Sequence, residues 1–307
     1  MFAIIFFLYA LTQTGNIYYS LSVHSKADAD SIQAVQQEAK KWAGTQEEKY
    51  SHEKIAKAIS ADAAIVIDAS TGKVLFEKNA DRKEYPASMT KMMTCILALE
   101  RGRLDDVVTI SARASAASDT YLTRGDRILL SNLLYLLMLD SNNGSAVAVA
   151  DYMAAHGGNF TAQMNQKAVQ LGMNHTHFVN PNGMHDPQHY STARDMATLA
   201  MYCMRNSNFR EFVKTKQKRA VYKYPAGKNM HCRNENKLLD LYDGVNGVKT
   251  GFTDAAMGCV ATSYEKNGVR LIAVVMHSRK GQLRFYDTMK LLDWCLATYK
   301  GVAPSPR

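Results

Sequence analysis

The chain has no C-x-x-C pair, no H-E-x-x-H, no G-x-S-x-G and no apolar run long enough to cross a bilayer as a helix. Each absence removes a class of chemistry. The five cysteines, Cys95, Cys203, Cys232, Cys259 and Cys295, are odd in number and widely spaced, which sets aside a disulfide framework and a thiolate zinc site and leaves buried thiols as the expectation, with one pair left open. His185 and His189 stand four apart in "NHTHFVNPNGMHDPQHYS", but Pro187 between them breaks the helix a two-histidine metal site needs. Polar loop histidines, no metal and no cofactor are expected. Without G-x-S-x-G an α/β-hydrolase triad has no support. Although 37 Lys and Arg outnumber 28 Asp and Glu for a net charge of +9, no basic run is interleaved with aromatics and no helix carries a basic stripe. Nucleic acid is therefore not an expected partner, and the charge suits anionic surfaces more generally.

What is present is an ordinary globular composition, 47% hydrophobic and 21% charged over 307 residues, enough for one large domain or two small ones. The N-terminus "MFAIIFFLYALTQTGNIYYS" has a ten-residue apolar core, Phe2 to Leu11. That is too short to span a membrane and fits the core of a secretory signal, with cleavage at Ser25-x-Ala27 or Ala27-x-Ala29. No Lys or Arg precedes it, so an uncleaved anchor stays open. Residues 1–29 are thus expected to be a signal peptide or N-terminal anchor. The chain is expected to be exported, to the periplasm or the outer face of the cytoplasmic membrane, with membrane association through the N-terminus only. Residues 30–60 are polar, with Ile32, Val35, Ala39 and Trp42 at helical spacing, and read as a helical tether. Residues 61–300 form the body, and 301–307 a tail.

Four places read Ser-x-x-Lys: Ser51/Lys54, Ser70/Lys73, Ser88/Lys91 and Ser263/Lys266. The first lies in the tether. The second brackets Ser70-Thr71-Gly72, a hairpin turn between β-rich runs 62–69 and 73–78, and the fourth falls in "SYEKNG", read as the turn between strands 257–263 and 269–276. Only Ser88/Lys91, in "YPASMTKMMTCILALERG", opens a helix with a thick apolar face (Met89, Met92, Met93, Ile96, Leu99), stopped at Gly102. The pattern from 104 to 212 is helical, 215–249 is mixed strand and loop, and "LRFYDTMKLLDWCLATY" is a closing helix with Leu291, Leu292 and Cys295 inward. Strands come from both ends of the chain and helices from its middle. The expected fold is α/β, an antiparallel sheet flanked by helices with an inserted all-helical lobe, its cleft where lobe meets sheet.

Ser88 and Lys91, three apart on a helix, share a face. A neutral lysine can take the serine's proton, and burial or a second cation favours the neutral amine. The Ser88 N–H, at a helix N-terminus, can help hold an oxyanion. Between two apolar helices lies Ser141-Asn142-Asn143, the one Ser-x-Asn of the chain, with a hydroxyl to relay a proton and an amide to bind a peptide carbonyl. In "GVNGVKTGFT", Lys249 is the second cation, Thr250 offers a hydroxyl to a carboxylate, and Gly251 leaves room for a peptide to add as a further strand.

S-x-x-K, S-x-N and K-T-G in this order are the motif set of penicillin-binding proteins and serine β-lactamases. More narrowly, residues 61–299 resemble the low-molecular-mass D-alanyl-D-alanine carboxypeptidases, through "AAIVIDASTGKVLFEKNAD", "YPASMTKMMT", "NPNGM", "STARDMATLA", "GVKTGFT" and "LLDW". The resemblance implies a β-lactamase/transpeptidase-like fold. It also implies attack by Ser88 on the bond between two D-alanines of a peptidoglycan stem peptide, release of the acyl-enzyme by water, and covalent inhibition by β-lactams. Carried over, Ser88, Lys91 and Ser141 are catalytic. Asn143, Lys249, Thr250, Gly251, Phe252 (a second oxyanion N–H) and Arg284 (a carboxylate-binding arginine ten residues before Trp294) bind substrate. Met257 and His277 stand where glycine is common in the family, and the second β-domain and amphipathic anchor of many relatives are not expected after residue 300. The rivals are a β-lactamase and a β-lactam sensor. Residues 144–210 contain no Glu to serve as a hydrolytic base, Glu235 before K-T-G lacks the E-x-x-L-N form, and a sensor needs a transmembrane segment.

Overall fold

The computed structural model describes residues 51–298. The expected export segment, residues 30–50 of the tether and the tail 301–307 lie outside the described residues. Ser51 caps α1 (His52–Ala58), its side chain accepting from the Lys54 N–H, and Ile55 is fully buried. His52 stacks on Phe76 with ring centroids 4.7 Å apart. Residues 51–60, expected as the end of the tether, therefore pack as part of the body, and Ser51/Lys54 is a helix cap.

β1 (Ala61–Asp68) and β2 (Val74–Lys78) form the expected antiparallel hairpin. The Asp68 carboxylate closes its turn by accepting from the Ser70 N–H at 2.8 Å and the Thr71 hydroxyl at 2.9 Å. A 3-10 turn, Ala87–Thr90, leads into α2 (Lys91–Arg101). Then come β3 (Val107–Thr109), α3 (Ala112–Ser115), β4 (Arg127–Leu129), α4 (Leu130–Met138), α5 (Asn143–Gly157), α6 (Phe160–Gln170), α7 (Ala193–Cys203) and α8 (Ser207–Lys214). The chain closes through β5 (Gln217–Tyr224), β6 (Asn229–Arg233), α9 (Leu238–Leu241), β7 (Val245–Thr253), β8 (Met257–Lys266), β9 (Val269–Ser278) and α10 (Leu283–Thr298).

The main sheet has the order β2-β1-β9-β8-β7, every neighbouring pair antiparallel, so the first and last strands of the chain meet at its centre and β7 is an edge. Both faces are covered. Ala63, Ile65 and Ile67 of β1 and Ile272, Val274 and Met276 of β9 point into the core beneath the helices 91–214. Their alternates, Ala64, Val66, Leu271, Ala273 and Val275, pack under α10 and α1 with Leu291, Leu292 and Trp294. A strand buried on both sides must be apolar at nearly every position, which is why "AAIVI" carries no alternation. α2 runs through the middle of the larger core: Met92, Met93, Cys95, Ile96 and Leu97 are all buried.

The structure departs from expectation in three further places. β3, β4, β5 and β6 form a second, four-stranded sheet inside the region that reads as helical and mixed. Two of these strands are three residues long, too short to leave a period in the sequence. β8 runs on to Lys266, so Ser263 and Lys266 lie on a strand, on opposite faces because they are an odd number apart, and the turn is Asn267-Gly268, both left-handed. Gly102 ends α2 with φ −97°, outside the left-handed region; a side chain there would meet Ala98 O at 2.7 Å and Leu130 Cδ2 at 2.8 Å, so packing demands the glycine. All five cysteines are free and buried. Among the described residues no helix is long and apolar enough to cross a membrane.

Candidate active site

Ser88 sits on the 3-10 turn, not on the α-helix itself, and Lys91 is the first residue of α2. In a 3-10 turn residues three apart eclipse, which brings Lys91 Nζ to 2.7 Å from Ser88 Oγ. The turn is held under strain: Ala87, immediately before Ser88, is buried with φ 47°.

Lys91 is fully buried. Besides Ser88, its amine meets Asn143 Oδ1 at 2.7 Å and the Asn182 carbonyl at 2.9 Å. Both are pure acceptors, so a neutral amine spends its two N–H bonds on them and keeps its lone pair for the Ser88 hydroxyl proton. Burial, and then the charge of Lys249, hold the Lys91 amine well below the usual lysine range, while Glu235 and Asp119 act weakly the other way. The Asn143 amide is oriented by its far end, where Nδ2 donates to Ser118 Oγ at 3.3 Å. Asn142 caps α5, accepting from the Ser145 N–H at 2.8 Å, and so places Asn143 on the first turn of the helix. Ser141 precedes it in left-handed backbone, φ 57°, and among the described residues its Oγ has no hydrogen-bond partner.

The third group lies on the edge strand β7. Lys249 and Thr250 are buried, and Phe252 is half exposed. A Cβ on Gly251 would lie 2.9 Å from Pro86 O and 3.1 Å from Ser88 N. The missing side chain of Gly251 thus lets the chain's own Ser88 turn pack against β7, which remains an edge of the sheet. Burial depresses the Lys249 amine to about 8, with Glu235 opposing and Arg284 assisting. The two lysines divide the proton by their surroundings. Lys249 Nζ has the Glu235 carboxylate at 3.8 Å and keeps the charge, whereas the groups bonded to Lys91 are all neutral. Arg284, on the first turn of α10, is nine-tenths buried and its Nε has no hydrogen-bond partner. A Cβ built on Gly281 would lie 3.2 Å from the Phe252 ring and 3.5 Å from Arg284 Nη1, which locates the arginine at the end of β7. Lys249, the Thr250 hydroxyl and Arg284 therefore offer two cations and a hydroxyl to an anion.

Some contributors were not legible in the sequence. Asn182 enters through its backbone carbonyl, held by a loop that Asn180 closes with bonds to Gly183 N at 2.7 Å and Met184 O at 2.9 Å. Gly183, φ 83°, lies so close to the Ser88 turn that a Cβ would fall 1.9 Å from Ala87 O. The string "NPNGM" was visible, but a carbonyl leaves no side-chain signature. Glu235 appears in the sequence only as a poor candidate base; in the fold its Oε2 accepts from Thr250 Oγ1 at 3.0 Å.

The histidines resolve on their own chemistry. His189 is buried, accepts from the Val179 N–H at Nδ1 and therefore donates from Nε2 to Thr90 Oγ1 at 2.8 Å, so both its nitrogens are engaged. His185 lies edge-on to Tyr85, ring centroids 4.6 Å apart. Among the described residues Asp62, Glu84 and His277 form one trio with ligand-type atoms close together, and Arg82 pairs with both carboxylates, 2.9 Å from Glu84 and 3.6 Å from Asp62. Met257 and His277, read from the sequence as departures from glycine, have φ 53° and 56°, the backbone region where glycine fits without strain.

Residues 47–280 match the model of peptidase family S11, described as D-alanyl-D-alanine carboxypeptidase. The chain belongs to this family. It is similar to the D-alanyl-D-alanine carboxypeptidase DacF of Bacillus subtilis (strain 168), 34% identical over 78% of this chain and 63% of the relative. It is likewise similar to DacC of Escherichia coli (strain K12), 33% identical over 81% of this chain and 64% of the relative. It thus spans a little under two thirds of the length of these relatives. Against the crystal structure of the Streptomyces K15 DD-transpeptidase the S11 chain superposes with a TM-score of 0.73 at 34% identity, over 78% of this chain and 98% of that one. An antiparallel sheet flanked by helices, as in that penicillin-binding fold, is the fold of this chain.

Proposed function

We propose that this S11 protein is a serine-type D-Ala-D-Ala carboxypeptidase that trims the terminal D-alanine from peptidoglycan stem peptides, acting outside the cytoplasmic membrane and acylated by penicillin. The observation that carries the reading is the buried Lys91 amine, 2.7 Å from Ser88 Oγ with the Asn143 and Asn182 carbonyl oxygens as its other partners; in its neutral form the two N–H bonds go to those acceptors and the lone pair faces Ser88. Lys91 takes the Ser88 proton as Oγ attacks the carbonyl carbon of the penultimate D-alanine. The N–H groups of Ser88 and Phe252 receive the oxyanion. The peptide C–N bond then breaks as the proton taken by Lys91 passes through the Ser141 hydroxyl to the leaving nitrogen, and D-alanine departs. Lys249, Thr250 and Arg284 hold its carboxylate, and Asn143 positions the acyl peptide. Water completes the cycle by displacing Ser88 from the ester. Transfer to an amine would share the same acyl-enzyme, and the solved Streptomyces relative is described as a transpeptidase.

The test is intact mass of the full chain with benzylpenicillin, beside Ser88→Ala, followed by D-alanine release from a stem peptide with and without an added amino-acid acceptor. A single long-lived adduct absent from the variant, together with D-alanine release, is expected. Rapid loss of the adduct with drug hydrolysis means a β-lactamase, and an adduct without D-alanine release means a sensor. Equal labelling of the variant removes Ser88 from the role.

A further inference from the structure

Thr250 has one hydroxyl proton, and in this structure Glu235 holds it. Glu235 lies on the segment between β6 and α9, its backbone N–H tied to Leu139 O at 3.1 Å. From there the side chain reaches across to the edge strand. A single oxygen, Oε2, accepts from Thr250 Oγ1 at 3.0 Å and stands 3.8 Å from Lys249 Nζ. These are the two groups to which the proposed function assigns the substrate's terminal carboxylate. A hydroxyl donates once, so Thr250 cannot serve Glu235 and a substrate carboxylate together. The Glu235 side chain is 48% exposed, so water receives the carboxylate when it swings aside.

Resting on that reading of the site, we propose that Glu235 is a specificity-determining residue, an internal carboxylate that occupies the subsite for the substrate's C-terminal carboxylate and must be displaced before a D-alanyl-D-alanine end can bind. A substrate ending in a neutral carboxamide does not compete for that position. Glu235 therefore narrows the enzyme's preference for a free carboxylate over its amide. It acts chiefly on binding: its carboxylate bonds to Thr250 and to neither Ser88 nor Lys91, and it reaches the Lys91 amine only as a weaker opposing charge.

The experiment compares the full chain with Glu235→Gln and Glu235→Thr, and with Glu265→Gln, an exposed residue of β8, as a control for net charge. The readouts are the second-order rate of acylation by benzylpenicillin, the lifetime of the adduct, and KM and kcat for an N-acylated L-lysyl-D-alanyl-D-alanine and its C-terminal carboxamide. Removing the competing charge is expected to raise penicillin acylation and lower KM for the free acid by about tenfold, in line with one charge-assisted hydrogen bond. The expectation for kcat and the carboxamide is no change. Equal rates in parent and variants, with adducts forming on all of them, overturn the role of Glu235 alone. So does a lengthened adduct lifetime with unchanged acylation, which would make Glu235 the base for hydrolysis. No adduct on any of the proteins overturns the peptidase reading and this one together.

Discussion

Lys249 is expected to impose a descending alkaline limb on catalysis. Its amine is buried on β7 and depressed to about 8 by that burial, with Arg284 adding to the effect. Below that value it is a cation facing the substrate carboxylate; above it the charge is lost. The sign is thus opposite to that of Lys91, whose amine must be neutral and which contributes only an ascending limb at lower pH. Because kcat/KM reports the free enzyme, it should fall by about tenfold per pH unit beyond Lys249's titration, to about one hundredth of the plateau by pH ~10. A bound carboxylate stabilises the ammonium, so kcat itself should hold level further into the alkaline range. Lys249→Arg keeps a charge that does not titrate there. Its profile should be flat from pH 8 to 10, whatever the plateau. The assay is acylation by benzylpenicillin under second-order conditions, with D-alanine release as the turnover check. A parent profile without the descending limb, or the same limb in the arginine variant, would refute the assignment of the carboxylate site to Lys249.

Other outcomes follow from the same contacts. Lys91→Met fills the same buried volume without a base, so the fold should persist by thermal melting while penicillin acylation drops about a thousandfold. Gly251→Val drives a side chain into Pro86 O and Ser88 N, 2.9 and 3.1 Å from the Cβ position. It should slow acylation about 100-fold by displacing the nucleophile, with a smaller change in urea midpoint. His189 is held at about 4, against 6.5 for the free side chain, by burial. The unfolded chain takes up its proton first as the pH falls through that window, so stability should decline by up to ~3 kcal/mol and then level off. Urea titrations at stepped pH should show this, and His189→Gln should flatten the decline.

The fold was readable where the physics is local. The β1–β2 hairpin rests on an Asp and a Gly at fixed offsets, and α2 and α10 on apolar faces longer than three turns. The second sheet escaped because β3 and β4 are short and β5, which joins them through β4, lies some ninety residues downstream; pairing of that kind is decided by long-range contact. The four Ser-x-x-Lys candidates reduce to one in the sequence by a polar tether and two turns, although the structure makes the first a helix cap and places the fourth within β8.

By itself, the sequence determined the family resemblance, the order of the three motifs, the central apolar strands and three of the residues that gather around Ser88, namely Lys91, Asn143 and Gly251. Residue type sets what a side chain can donate, accept or titrate, and spacing sets which neighbours it shares. Tertiary structure alone decided the state of those residues. The Lys91 amine is held well below the usual lysine range because the fold buries it and sets the charge of Lys249, one hundred and fifty-eight positions away, against it, while Asn143, fifty-two positions away, and a carbonyl ninety-one positions away give its N–H groups acceptors. Gly251 is required because β7 passes against the Ser88 turn, and Thr250 is engaged because Glu235 reaches it across the cleft edge. Protonation and close approach depend on what stands within a few ångströms, and only the folded chain places groups so distant in sequence at that range.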